Sequence, residues 1–155
     1  MSLIKSITRK AVNVTGVFFR YPGTKLELEL VPWDTSERKA TYEQCKIEAP
    51  IRGFRQKDVS YDEDMFTDKM VDRVVKSARN CTVGCLKKLM LVDEGALKEQ
   101  LGLDAITDET PVPLTVEDIK SIVMDSIDVK LWLNSSIGDM DIFNAALKAQ
   151  SAKNL

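Results

Sequence analysis

Residues 16–32 read Gly16-Val17-Phe18-Phe19-Arg20-Tyr21-Pro22-Gly23-Thr24-Lys25-Leu26-Glu27-Leu28-Glu29-Leu30-Val31-Pro32, and this stretch decides the fold. Val17, Phe18 and Phe19 are β-branched or aromatic, side chains that suit a pleated surface, and Val12 and Val14 extend the pattern backward. Tyr21-Pro22-Gly23-Thr24 puts a proline and a glycine where a type II turn needs a fixed φ and then a positive one. Residues 25–31 alternate strictly, so Leu26, Leu28 and Leu30 share one face. Two strands around such a turn form an antiparallel hairpin with one buried face. Pro32 has no N–H to give a ladder and ends the second strand. A lone hairpin is marginal in water, so its leucine face must lie on helices or pair with a second chain.

The rest of the chain supplies helices. Asp34, Thr35 and Ser36 offer N-caps for a polar helix over residues 37–46. Pro50 and Gly53 break the chain and leave a basic loop over 54–57 with one aromatic residue, Phe54. Ser60 or Asp62 caps a second helix whose acidic first turn, Asp62-Glu63-Asp64, offsets the positive end of the helix dipole. Phe66, Met70, Val74 and Ala78 recur at i+4 steps with Val71 and Val75 beside them, which predicts an amphipathic helix running to Asn80. A third helix is predicted over 86–101, stopped by Gly102 as a C′ glycine, and residues 104–113 read as a long surface loop. Thr115-Val116-Glu117-Asp118 resembles a capping box, and Ile119, Ile122, Val123 and Ile127 continue as an apolar face. Leu131-Trp132-Leu133 and Ile137 add a further turn or two. The expected architecture is α+β: an N-terminal antiparallel β-hairpin followed by four or five helices in a single domain over 12–147. Residues 1–11 read as a flexible arm and 148–155 as a frayed tail.

With 155 residues, 44% hydrophobic and 30% charged, the chain can bury a core of its own and has the composition of a soluble globular protein. A net charge of −2 gives no global field to recruit nucleic acid or anionic lipid. The longest unbroken apolar run, Leu89-Met90-Leu91-Val92, is far short of the ~20 residues that span a bilayer. No apolar segment of the signal-peptide kind follows Lys5, Arg9 and Lys10. The expectation is a cytoplasmic protein with neither membrane nor nucleic-acid partner. Charge is uneven along the chain: residues 1–57 carry 11 basic and 6 acidic side chains, residues 58–155 carry 11 and 18. Copies packed basic half against acidic half would form a homo-oligomer on that complementarity, against the plainer reading of two solvated faces.

Residues that carry chemistry are sparse. There is no histidine, which removes Ser-His-Asp and Cys-His nucleophile systems and every His-containing metal site. Cys45, Cys81 and Cys85 are an odd, sparse set that reads as reduced thiols. The i,i+4 spacing of Cys81 and Cys85 lets both share a helix face, but a structural zinc site wants four ligands and a redox pair more typically reads Cys-x-x-Cys. Small buried side chains are the expected fate of all three. Asp62/Glu63/Asp64 and Asp139/Asp141 have no paired base and no calcium-loop spacing. Neither Tyr21-Pro22-Gly23-Thr24 nor Val83-Gly84 has the geometry of a phosphate loop. No residue is assigned a catalytic, cofactor-binding or metal-binding role, so the expectation is no enzyme and no cofactor. Trp33 and Trp132 read as core or interface anchors.

The order of these features resembles the small phage tail assembly chaperones. The hairpin 16–22, the Leu26/Leu28/Leu30 strand and Trp33 are similar to the start of that family. A charged helix (35–46) follows, then an acidic-start helix ending in Asn80-Cys81-Thr82-Val83-Gly84, a Pro/Thr-capped helix at Val112-Pro113-Leu114-Thr115-Val116-Glu117-Asp118-Ile119, and Phe143 near the C-terminus. The resemblance covers residues 14–145. Cys85 stands where that family commonly has a tryptophan, and a helical stretch, 86–101, replaces its short Asp/Gly-rich loop. The resemblance implies a non-enzymatic protein of a bacterial cytoplasm carrying a phage or prophage. Its partners would be the long helical tape-measure protein, which it coats, and the tail tube subunits that assemble around it. Two alternatives stand beside it: a structural tail component, a terminator or joining protein that forms an oligomeric ring, and a bacterial protein-interaction adaptor. The candidate client or self interface is the Phe66/Met70/Val74 side or the Trp132/Ile137/Phe143 side, whichever is not wholly buried.

The resemblance also implies a second, longer product made by a one-base backward ribosomal slip near the end of the short frame. Ala152-Lys153-Asn154 can be encoded GCA-AAA-AAC, which contains the slippery heptamer A-AAA-AAC. The nucleotide sequence is expected to show that coding with an open frame continuing past the stop; a different coding and no continuing frame would remove the longer product.

Overall fold

The structure, a computed structural model, describes residues 16–50, 53, 57–138 and 144–149. The expected arm 1–11, Val12, Val14, Phe143 and most of the expected tail 148–155 lie outside the described residues. The chain is α+β, with an N-terminal antiparallel hairpin leading into helices.

Strands β1 (Val17–Arg20) and β2 (Glu27–Leu30) pair antiparallel with Val17 opposite Leu30 and Arg20 opposite Glu27. The turn between them is the expected one: Thr24 N–H donates to Tyr21 C=O at 3.2 Å, and Gly23 has φ 79°. A side chain at that positive φ would be strained, which is why the turn takes glycine. Leu26, Leu28 and Leu30 are all buried on the shared face.

Helix α1 (Thr35–Gln44) starts at Asp34, whose carboxylate accepts from Ser36 N–H, and it buries no residue of its own. Residues 46–61, expected to be a helix end, a break and a basic loop, instead contain strands β3 (Lys46–Pro50) and β4 (Lys57–Tyr61), paired antiparallel. Every residue of β3 is exposed, so the ribbon offers no buried face for a periodicity reading to find. Asp62 caps helix α2 (Glu63–Val74), accepting from Met65 N–H at 3.0 Å.

The predicted extension of α2 to Asn80 is overturned. Helix α2 stops at Val74, and strand β5 (Val75–Arg79) pairs antiparallel with β2, which makes β2 the centre of a three-stranded sheet in the order β1-β2-β5. The open edge of β2 decides this, because its N–H and C=O groups need partners that a helix over 75–79 could not supply. Side chains reinforce the pairing: Arg79 meets Glu27 at 3.2 Å and lies 3.6 Å above the Phe18 ring, and Ser77 Oγ donates to Glu29. Such cross-strand pairs are worth roughly 0.2–1 kcal/mol each.

The predicted helix 86–101 is two helices, α3 (Val83–Leu89) and α4 (Glu94–Leu101), divided where Asp93 caps the second one. Gly102 ends α4 at φ 67° with Leu103 N–H returning to Lys98 C=O, as expected of a C′ glycine. The surface stretch after it is tied down at Gly84, whose N–H donates to Asp108 C=O at 2.8 Å. A Cβ on Gly84 would sit 3.0 Å from that carbonyl oxygen, so the close approach requires glycine. Helix α5 (Val116–Asp125) opens with the predicted capping box, Thr115 and Asp118 each bonded to the other's backbone. Helix α6 (Ile127–Gly138) follows directly, and residues 144–149 are helical. Among the described residues six helices and the helical stretch 144–149 follow the hairpin, and the predicted helix 86–101 is represented by two of them. Lys120 of α5 joins α2, with its ammonium within 3.1 Å of Asp68, Asp72 and Glu117.

One core connects the sheet to the helices, with Leu28, Leu30, Met70, Val74, Val123 and Leu133 among its fully buried members. Cys45, Cys81 and Cys85 are buried and free, as small apolar side chains are expected to be. Among the described residues no helix is long and apolar enough to cross a membrane. Leu28→Ala is expected to cost about 2–5 kcal/mol in urea unfolding, because β2 is flanked on both sides and the site cannot collapse. A loss below ~1 kcal/mol would contradict the central position of β2.

Candidate interaction groove

Four elements meet around an open groove of about 920 Å³: α1, the end of β4, the start of α2, and α6. Tyr42 comes from the last turns of α1 and Tyr61 from the base of β4, and the hairpin between them returns the chain so that the two rings stack. Their centroids are 4.1 Å apart and their planes 8° from parallel. Phe66 meets Tyr42 edge-on at 5.1 Å and is backed by Trp33, stacked at 5.7 Å. Leu131 of α6 forms the opposite wall and is 58% exposed.

Hydrogen bonds hold the aromatic wall in place. Tyr42 donates its hydroxyl to Glu63 at 2.9 Å, and Tyr61 donates to Glu43 at 3.2 Å. The hydrogen bond to Glu63, helped by partial desolvation, holds the Tyr42 phenol above its ordinary pKa, since ionisation would place a phenolate against a carboxylate. Arg38 donates to Asn134 at 2.7 Å and links α1 to α6 across the groove. Arg38, Lys39 and Lys130 lie on the rim beside Glu43 and Glu63, so charges of both signs surround an apolar floor.

The apolar surface continues past the groove on both sides. Val59 precedes Tyr61 by two residues in β4, hence lies on the same ribbon face, and is 46% exposed. Ile127 precedes Leu131 by four residues in α6, hence lies on the same helix stripe, and is 64% exposed. Among the described residues no nucleophile–base pair lines the groove and no cluster of three or more metal-ligating side chains occurs. What the arrangement can do is hold apolar side chains of a partner between an aromatic wall and an aliphatic one.

The residues expected to form an interface divide. Phe66 lies at the base of the groove. Met70, Val74 and Ile137 are buried in the core and have no surface to give a partner, because the i+4 stripe of α2 is spent on the sheet and on α5. Trp132 is half-buried and packs edge-on against Tyr21 at 5.2 Å, and Phe143 is outside the described residues. Tyr42, Tyr61 and Leu131 were not foreseen as groove residues. The signal for Tyr61 lay in the alternation Lys57-Asp58-Val59-Ser60-Tyr61 after Gly53, which marks a second hairpin. Leu131 occurs in a run whose neighbours Trp132 and Leu133 turn inward, so composition alone does not separate it.

No family model, no curated protein and no solved structure matches this chain.

Replacing Glu63 by Gln is expected to let Tyr42 ionise at lower pH, because the adjacent negative charge that disfavours phenolate is removed. Ultraviolet titration of the tyrosines in both proteins reads this; an unchanged or raised midpoint for Tyr42 would contradict the role of Glu63.

Proposed function

We propose that this chain is a non-enzymatic tail assembly chaperone of a phage or prophage, acting in the bacterial cytoplasm, that binds a tape-measure protein and assists assembly of the tail tube. The observation that carries the reading is the exposed apolar surface running from Val59 and Tyr61 through Tyr42 to Leu131 and Ile127. A long helical client presents apolar side chains at i, i+3, i+4 and i+7, and a groove with an aromatic wall and an aliphatic wall accepts such a stripe. The mixed charges on the rim suit a client whose flanking positions carry both signs. The sequence resemblance suggests the client, and the apolar walls of the groove support the reading.

A second reading, a ring-forming structural tail component, is favoured by the β3–β4 ribbon. A two-stranded ribbon with solvent along β3 is marginal alone and gains from a neighbouring subunit. Light scattering separates the two readings: a chaperone stays a small species that takes up the client, whereas a ring component forms a stable multimer without it.

The test of the first reading is co-expression with a tape-measure protein, sought as a very long helical reading frame immediately downstream of this gene. Leu131→Asp and Ile127→Asp are expected to lower the soluble client several-fold while far-UV circular dichroism of the variants is unchanged. Charge reversal at Asp104 and Glu109, away from the groove, is expected to leave it unchanged. Equal or greater loss from the Asp104/Glu109 variants would overturn the assignment of the surface.

A further inference from the structure

Helix α1 has 10 residues and buries none of them, and every residue of β3 directly after it is exposed. A helix that is polar all round needs i,i+4 ion pairs of its own or a neighbour to cover it. Lys39 and Glu43 have that spacing, and both line the groove. The pair is not made. Among the described residues the Lys39 ammonium has no hydrogen-bond or ion-pair partner, and Glu43 accepts from the Tyr61 hydroxyl instead, at 3.2 Å. The other charges on this face are also left without an opposite charge. Arg38 is bonded to the neutral Asn134 and Glu63 to the Tyr42 hydroxyl, while the Lys130 ammonium has no partner among the described residues. Lys46, across the ribbon from Tyr61, is engaged by Glu48 at 3.3 Å.

Position along α1 separates the two signs. Arg38 and Lys39 come about one turn before Glu43, and Glu63 is held at the level of Tyr42 by its hydrogen bond. The groove side of α1 is therefore cationic toward its start and acidic toward its end. Tyr42, Tyr61 and Leu131 form the apolar surface beside these charges, and Val59 and Ile127 extend it. Contiguous exposed apolar surface rimmed by polar groups marks an interaction face.

Such a pattern is its own complement. A two-fold axis perpendicular to α1 sets the α1 helices of two copies antiparallel, so the cationic end of each meets the acidic end of the other. Lys39 of each copy then faces Glu43 of the other, and the axis makes the contact twice. We propose that the groove face closes on a second copy of this chain as a two-fold dimer, with Lys39 and Glu43 paired reciprocally and Tyr42, Tyr61 and Leu131 covered. A two-fold contact uses the same patch on both copies, so assembly stops at two and builds no ring. The proposal goes beyond the chaperone reading and needs no client, although a client of the groove would displace the second copy.

The experiment is sedimentation equilibrium of the full chain without client. The unaltered chain is expected to reach twice 17.4 kDa and to return to 17.4 kDa on dilution. Lys39→Glu and Glu43→Lys each put like charges opposite one another at both contacts, and each is expected to weaken self-association about tenfold or more. An equal mixture of the two variants is expected to regain the native affinity within about threefold, because both contacts in the mixed dimer pair opposite charges. A general loss of structure would not recover on mixing. A chain that is monomeric at every concentration, a mass above two copies, charge variants that associate like the unaltered chain, or no recovery on mixing would each overturn the proposal. Leu131→Asp leaves α1 unaltered and is expected to be monomeric with native circular dichroism. Should a charge variant fail to fold, a persistent dimer of Leu131→Asp would overturn the proposal instead. Client solubility is not read here, so failure of the dimer and failure of the chaperone reading are separate results.

Discussion

The pairing of β2 with β5 is the constraint on which the other elements depend. A hairpin alone leaves one edge of β2 without hydrogen-bond partners and its leucine face without cover. β5 satisfies the edge, and the chain running into and out of β5 brings the cover. Helix α2 must end at Val74 so that Val75 can enter the sheet, and Val31 N–H seals the junction by donating to Val74 C=O at 2.9 Å. That endpoint fixes the length of α2, and with it the places of Phe66 near its start and Met70 and Val74 on the core side.

The candidate groove follows from this junction. Upstream, α2 begins at the base of the β3–β4 ribbon, so Phe66 stands beside Tyr61 and Tyr42 and faces Leu131 across the groove. Downstream, β5 ends on the left-handed Asn80, and Thr82 caps α3 directly after it. A groove with exposed apolar walls adds stability only when something fills it, which is what a binding surface requires and a core does not.

Much of the fold was legible in the sequence where one face is buried and the other wet. The type II turn at Pro22-Gly23, the buried Leu26/Leu28/Leu30 face, the cap at Asp62, the capping box at Thr115 and Asp118, and the stop at Gly102 all follow from local rules, and all are present. β5 was not legible, because Phe66, Met70, Val74 and Ala78 keep helical spacing across the point where the backbone changes. Val74 and Val75 are buried in either conformation, and only the distant edge of β2 chooses between them. The β3–β4 ribbon was hidden for the opposite reason: with β3 fully exposed, it has no hydrophobic period to display. The groove was half legible. An apolar stripe containing Phe66 was visible, but burial of Met70 and Val74 beside it, and of Ile137 on α6, depends on tertiary packing that no window of sequence contains.

Backbone NMR on the full chain tests the β2–β5 pairing most directly. The account predicts cross-strand contacts between the β2 residues Glu27 and Leu28 and the β5 residues Ala78 and Arg79, with slow amide exchange along β5. Sequential helical contacts continuing from Val74 through Ala78, with no contact to β2, would contradict it.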